Sequence, residues 1–369
     1  MNKNILFVGS LGHQHIQGFV SSLKSQSDLV FYGISYSGNV PTNGLFEEVT
    51  TVGNTKNKVI NQFLRIVKPI GCIFRLRKKV SVVQFHALSI YAFMSAPLAR
   101  LFGLKVSYFI WGSDLMRANK FQRLLASIVY HSVHSVVCDS SSVKDIFCSR
   151  FPALRDKIEV NYFGSPVIDK MNELLKNENK LERNNNLYKG KIVVMCGYNA
   201  SPEQNHIKIL RALSKHSEDV HLILPMTYRK SIGYSEKVKE ELESLKFSYT
   251  FLEDFLADEE MCKYEIDTDV FIHMQQTDAF SSSVAEHLFL GNVVINAEWI
   301  IYPDLINNGV IYKSANFSNL ENIIDDTLAN LNMYKSEASQ NKNKIYELKS
   351  QLYCNERYWI PYYESLLAK

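Results

Sequence analysis

Short apolar runs of strand character alternate with helical patterns from one end of the chain to the other. This alternation restricts the fold more than any other feature. Successive strands joined by helices need crossovers that pack on a sheet, which gives parallel sheets rather than sandwiches or bundles. The first half predicts strands at Ile5–Val8, Leu29–Ile34, Val80–Phe85, Lys105–Trp111, Val133–Cys138 and Ile158–Tyr162. Helices fall between them near Ile16–Ser25, Ser89–Phe102 and Gln122–His131. Residues 167–190 break the rhythm with Lys, Glu and Asn, a composition suited to a solvated linker or exposed helix. It restarts at Lys191–Gly197 and continues through Val220–Leu224, Tyr249–Leu252, Val270–Met274 and Val293–Ile295. The expected architecture is α/β, with doubly wound parallel-sheet domains at 1–165 and 191–350 and a linker at 166–190. Residues 351–369 are aromatic and amphipathic, need an apolar surface to cover, and are expected to cross back onto the first domain.

At 369 residues the chain is long enough for two such domains. Hydrophobic residues make up 46% and charged residues 21%, as in globular proteins with sizeable cores. Cys72, Cys138, Cys148, Cys196, Cys262 and Cys354 form no CxxC pair or Cys/His cluster. Neither a metal site nor a disulfide framework is indicated, and reduced thiols in a cytoplasm fit best. The apolar stretch at Ile5–Val8 is too short for a signal core. Val80–Ala99 is uncharged but carries Gln84, His86 and Pro97, so it reads as a strand and helix rather than a membrane span. Charge is uneven: residues 1–165 hold 19 Lys+Arg against 8 Asp+Glu, and the rest holds 22 against 30. A basic half facing an acidic half suggests domains with separate jobs. Residues 61–79 mix Arg and Lys with Phe, Leu and Ile. They read either as a contact with the inner membrane surface or as a helix with a basic outer face. No nucleic-acid-binding motif accompanies the basic residues.

The chemistry concentrates where strands end. Gly197–His206 follows a strand and opens a helix, with Ser201 as N-cap, Pro202 at the first position and Gln204 completing a capping box. Bare amides there attract phosphate, or the segment is a well-capped helix that binds nothing. In Thr277–Glu286 a strand feeds a Ser-rich loop that opens a helix ending at Gly291. It carries Asp278 and, seven residues between, Glu286. A carboxylate so placed can accept the hydroxyls of a ribose. The structural alternatives are a turn residue for Asp278 and a Ser283-x-x-Glu286 capping box. Arg229 and Lys230 could neutralise a diphosphate or lie in a solvated loop. In the first half, Gly9–His13 lets a ligand approach the backbone, with Gly12 and His13 at the loop tip. Asp114, after Trp111, and His86 stand at two further strand ends.

These segments resemble the GT-B glycosyltransferases over nearly the whole chain. Thr277–Glu286 looks like the acidic-x7-acidic element of the retaining family 4 type, with Asp278 in place of the usual Glu. Gly197–His206, Leu224–Met226 and Gln275–Gly291 also resemble the fucosamine-type transferases of enterobacterial common antigen assembly. The resemblance implies two Rossmann-like domains facing a cleft and a nucleotide-diphosphate sugar as substrate, with no metal and no cofactor. Glu286 would hold the ribose. Asp278, Phe280, Ser281, Ser282 and Ser283 would face the donor sugar and diphosphate. The Arg/Lys pair that usually grips the diphosphate is absent, so Gly197, Asn199, Asn205, His206 and Arg229 would line the donor site. The acceptor is expected to be a saccharide, lipid-linked, in bacterial surface polysaccharide synthesis. The enzyme would be cytoplasmic or peripheral on the inner face of the membrane. In a retaining reaction a leaving-phosphate oxygen takes the acceptor proton; in an inverting one Asp114 or His86 is the base. A nucleotide-sugar epimerase of the same fold, or a silent nucleotide-sugar or membrane-surface binding protein, are the competing readings.

Overall fold

The computed structural model describes residues 3–36, 44–52, 58–86, 90–176, 188–228 and 231–368. The chain forms two compact units: Met1–Gly164 together with Gln351–Lys369, and Ser165–Ser350.

The first unit is built on a parallel sheet of seven strands: β1 (Asn4–Gly9), β2 (Val30–Ser35), β3 (Val49–Thr51), β4 (Val82–His86), β5 (Lys105–Ile110), β6 (Ser135–Cys138) and β7 (Ile158–Val160). Their order is β3-β2-β1-β4-β5-β6-β7. The central strands are apolar without alternation because both faces are covered; β1 and β5 each bury five consecutive residues. The helices Lys58–Leu76, Ile90–Leu101 and Lys120–Ser132 pack side by side as one layer. The other core cluster joins the helix Gln14–Gln26 to the chain's C-terminal segment. There Trp359 and Tyr363 are fully buried among Phe7, Phe19 and Phe31. That segment is a helix Gln351–Cys354, a π-helical turn Asn355–Trp359 and a helix Ile360–Ala368.

The second unit carries β8 (Ile192–Cys196), β9 (Val220–Pro225), β10 (Ser248–Leu252), β11 (Val270–His273), β12 (Val293–Ala297) and β13 (Lys313–Ala315). They form a parallel sheet in the order β10-β9-β8-β11-β12-β13. β3 and β13, three-residue edge strands, are not anticipated by the hydrophobic pattern. Residues 166–176, the start of the segment read as a solvated linker or exposed helix, form the helix Pro166–Lys176, which buries Ile168 and Met171. No described helix is long and apolar enough to cross a membrane.

In each unit the winding reverses once. The reversal lies between β1 and β4 in the first and between β8 and β11 in the second. Loops at the carboxyl ends of two such strands diverge and leave a crevice, where open α/β sheets bind ligands.

Candidate functional site

Both loops at the reversal point of the second unit are the ones singled out by sequence. After β8 the backbone turns at Gly197, with φ +63°. A Cβ there would lie 2.8 Å from His206 Nε2 and 2.9 Å from Gln204 Oε1, so a side chain fits only if those groups shift. Asn199 is fully buried, and its Oδ1 accepts from the Ser201 amide at 2.9 Å. Ser201 caps only a short 3-10 turn, Pro202–Gln204. The expected capping box with Gln204 is not formed. The backbone turns left-handed at Asn205 (φ 60°) and the α-helix begins at His206. Gln204 instead donates to Gln275 Oε1 at 2.6 Å. Asn205 Nδ2 donates to the Met274 carbonyl at 2.7 Å. Tyr198 donates its hydroxyl to the same Gln275 oxygen. The loops after β8 and β11 are thereby tied together through Gln275, a residue the sequence reading did not single out. His206 is buried, and burial pushes its imidazole down to about 4.

After β11, Asp278 Oδ2 accepts from the Ser281 amide at 2.8 Å and from the Tyr302 hydroxyl. Asp278 therefore does serve as the turn residue, and it also places its carboxylate at the head of the helix Ser282–Leu290. Burial and the Asp278 charge hold the Tyr302 phenol well above its usual range, so it stays protonated and donates. The first intrahelical bond runs from Ala285 N to Ser281 O. The amides of Ser282, Ser283 and Val284 thus precede the helix's own hydrogen bonding, as at any helix start. Phe280 is buried against Tyr302, ring centroids 5.4 Å apart, and the buried Lys349 ammonium lies 3.7 Å from its ring centroid.

His273, at the end of β11, is a second group the sequence reading passed over. Its Nδ1 bonds Asn296 Oδ1 at 2.8 Å, and the Asn296 amide nitrogen donates to Ala297 O and Ile300 O. An amide oxygen only accepts, so Nδ1 carries the proton. Nε2, buried and without a hydrogen-bond partner among the described residues, is 4.0 Å from Asp278 Oδ2.

Glu286 lies 6% exposed on the helix, with Oε1 accepting from Ser165 Oγ at 2.8 Å. The Ser283-x-x-Glu286 capping box is not formed, because Ser281 is the N-cap. Burial pushes Glu286 up to about 7, against the opposing hydrogen bond from Ser165. Glu265, also buried, is pushed well above the carboxylate range by burial and by Glu286, to which it donates a hydrogen bond. Arg229 lies outside the described residues.

At the reversal point of the first unit, a Cβ on Gly9 would sit 3.0 Å from both Cβ and carbonyl oxygen of His86. His86 is buried among Phe7, Phe109 and Trp111, with ring centroids 4.8, 5.6 and 6.0 Å away. Neither ring nitrogen has a hydrogen-bond partner among the described residues, and burial pushes the imidazole down to about 3. A general base works best with a pKa near the operating pH. His86 in this state is suited to hydrogen bonding a substrate rather than to holding its proton. His13 is exposed, its ring 6.1 Å from Trp111. The Gly12 carbonyl accepts from Gln17 Nε2 at 2.9 Å. Asp114 is not with them. It accepts from the Tyr108 hydroxyl at 3.0 Å, and Tyr108 packs on Tyr130. Neighbouring residues of a strand face opposite ways, so Tyr108 and Phe109 lead to different faces of the sheet.

Two Rossmann-like parallel-sheet units of this kind define the GT-B class of fold, and solved structures match the chain along its whole length. HepE of Anabaena in complex with UDP matches with TM-score 0.74 at 13% identity, covering 99% of this chain and 100% of that one. A glycosyltransferase of Rickettsia africae matches at 0.72 and 17% identity, covering 99% and 98%. A UDP-forming α,α-trehalose-phosphate synthase of Burkholderia xenovorans matches at 0.75 and 9%, covering 100% and 99%. No protein-family model and no curated protein matches the chain.

Proposed function

We propose that this chain is a glycosyltransferase whose second unit binds a nucleotide-diphosphate sugar and whose first unit binds a saccharide acceptor. One observation carries the reading. The acidic-x7-acidic element and the Gly197 turn are the two loops at the reversal point between β8 and β11. The fold neighbours add the donor class: HepE is solved with UDP and with UDP-glucose, and the trehalose-phosphate synthase is UDP-forming.

In this proposal the amides of Ser282 and Ser283 and the dipole of their helix face the diphosphate, where a metal acts in other transferases. Lys349, whose ammonium lies 3.7 Å from the Phe280 ring centroid, supplies a cation for the diphosphate. Asp278, held by Ser281 and Tyr302, accepts from a sugar hydroxyl, and the bare His273 Nε2 accepts from another. Glu286 grips the ribose, whose hydroxyls take the place of the Ser165 hydroxyl on its carboxylate. In the first unit His86 hydrogen bonds the acceptor. In a retaining course a leaving-phosphate oxygen takes the acceptor proton, and in an inverting course a protein group takes it. The acceptor we favour is a lipid-linked saccharide of a bacterial surface polysaccharide.

Thermal shift against UDP, GDP, dTDP and their sugars tests the donor site, because a ligand of the folded state raises the melting temperature by mass action. One nucleotide class should stabilise the chain, and Glu286→Gln should remove most of that shift. Stabilisation that survives Glu286→Gln and Asp278→Asn together counts against this site.

A further inference from the structure

Three neighbouring helices of the first unit expose apolar side chains where a surface helix ordinarily carries polar ones. On Lys58–Leu76 the buried side is formed by Pro69, Cys72, Ile73 and Leu76. Phe63, Val67 and Phe74, spaced by four and seven residues, make a second stripe that faces outward, and Phe63 is 64% exposed. Ile90–Leu101 repeats the pattern with Met94 and Leu101, the latter 78% exposed. Lys120–Ser132 does so with Phe121, Leu124 and Ile128, the first two 62% and 61% exposed. Since the first helix packs on the second and the second on the third, the stripes belong to one layer.

The charge of that layer names its occupant. No Asp or Glu occurs between Glu48 and Asp114, nor between Asp114 and Asp139. None of the three helices contains a carboxylate, while Lys68, Arg75, Arg100, Lys120 and Arg123 lie on them. Arg77, Lys78 and Lys79 follow the first. The Arg77 guanidinium lies 3.6 Å from the centroid of the Phe74 ring, a cation set directly on the apolar stripe. Among the described residues Glu48, paired with Arg75, brings a carboxylate to the edge of the layer. A protein partner would need to be acidic and apolar at once. An anionic bilayer surface offers both over a broad flat area: phosphates for the cations and acyl boundary for the Phe and Leu side chains.

We infer that the helical layer formed by Lys58–Leu76, Ile90–Leu101 and Lys120–Ser132 is a docking face for an anionic lipid bilayer. The inference extends far past the basic segment at 61–79 and does not depend on the donor assignment. Docking holds the first unit at the membrane without a spanning helix.

Sedimentation with vesicles tests it, using the full chain. Wild type should pellet with mixed phosphatidylglycerol and phosphatidylcholine vesicles, weakly with phosphatidylcholine alone, and less as salt is raised. Phe63→Glu with Leu124→Glu should lower the partition coefficient about tenfold or more, since both insert a charge into the acyl boundary. Both side chains are exposed, so circular dichroism and any nucleotide-induced thermal shift should stay as in wild type. The inference is overturned if wild type ignores anionic vesicles at low salt, or if the double variant pellets as well as wild type. It is equally overturned if light scattering shows a wild-type dimer that the variant dissociates, because a second copy then covers the face. Tighter binding to single-stranded RNA than to the vesicles, unaffected by the variant, assigns the cations elsewhere and also overturns it.

Discussion

Gly197 shows at one residue how backbone and site depend on each other. Its φ of +63° is a conformation that side-chain-bearing residues rarely adopt. The space a methyl would need is held by His206 Nε2 at 2.8 Å and Gln204 Oε1 at 2.9 Å. Gly197→Ala is expected to destabilise the chain by about 1–3 kcal/mol through strain and displacement of those groups. Denaturant unfolding reads this as a lower midpoint with an unchanged slope. An alanine variant as stable as wild type means that the turn relaxes freely, and then the arrangement around it is not fixed. Glu265 and Glu286 make a second residue-scale case. Both are buried and both have raised pKa values, so the folded chain holds more protons than the unfolded one between about the ordinary carboxylate range and 7. Their contribution to stability is therefore full in acid and lost as pH rises through 7. Glu265→Gln keeps an N–H donor for Glu286 and removes one ionisation. The variant should lose less stability than wild type on going from pH 5 to pH 8. Melting temperatures followed across that range check it; parallel curves for the two proteins contradict a shared proton.

At the scale of elements, the central strands were legible because burial on both faces demands unbroken apolar runs such as Ile5-Leu6-Phe7-Val8 and Val270-Phe271-Ile272. Of the four edge strands, β7 and β10 were legible too, but β3 and β13 were not. Val49-Thr50-Thr51 and Lys313-Ser314-Ala315 are held by backbone ladders to one neighbour, which hydrophobic pattern does not report. The Asp278–Glu286 spacing was legible, since strand, loop and helix are contiguous in the chain. The groups that tie it down were not. Gln275 meets Gln204 and Tyr198 across 71 and 77 residues, a contact that exists only because β11 pairs with β8 rather than with β10. His273 gains its bare nitrogen from Asn296, on β12. The capping box at Ser201 does not form for a related reason: the Gln204 side-chain amide is taken up by Gln275, and the backbone turns left-handed at Asn205 before the α-helix starts. Local sequence thus announces where chemistry collects, while pairing of distant strands decides which side chains complete it.

For the whole molecule the decisive fact is that the first unit is made from both ends of the chain, residues up to Gly164 and then Gln351–Lys369. The returning segment completes a core instead of decorating a surface. Trp359 is fully buried with its indole N–H on the Tyr162 carbonyl at 2.9 Å, and its ring centroid is 4.6 Å from that of Phe19. Tyr363 donates to the buried Gln84 on β4, Tyr362 shares a hydrogen bond with Ser107 on β5, and Asn355 reaches Ser22 at 2.8 Å. Removing the segment strips apolar cover from β1, β4 and β5 and leaves Gln84 and Ser107 without these partners, two penalties of the same sign. Trp359→Ala alone should cost the first unit about 3–5 kcal/mol. A chain ending at Ser350 should lose the first unit's fold altogether, since domain stabilities rarely exceed about 5–15 kcal/mol. The second unit contributes its own sheet and its own core, with β8 through β13 wholly inside Ser165–Ser350. Scanning calorimetry of the truncated chain should therefore retain one transition close to that of the second unit and lose the other. Nucleotide-induced stabilisation of the surviving transition would place the donor site in the second unit by itself; its disappearance together with the first unit's transition would show that the donor needs both.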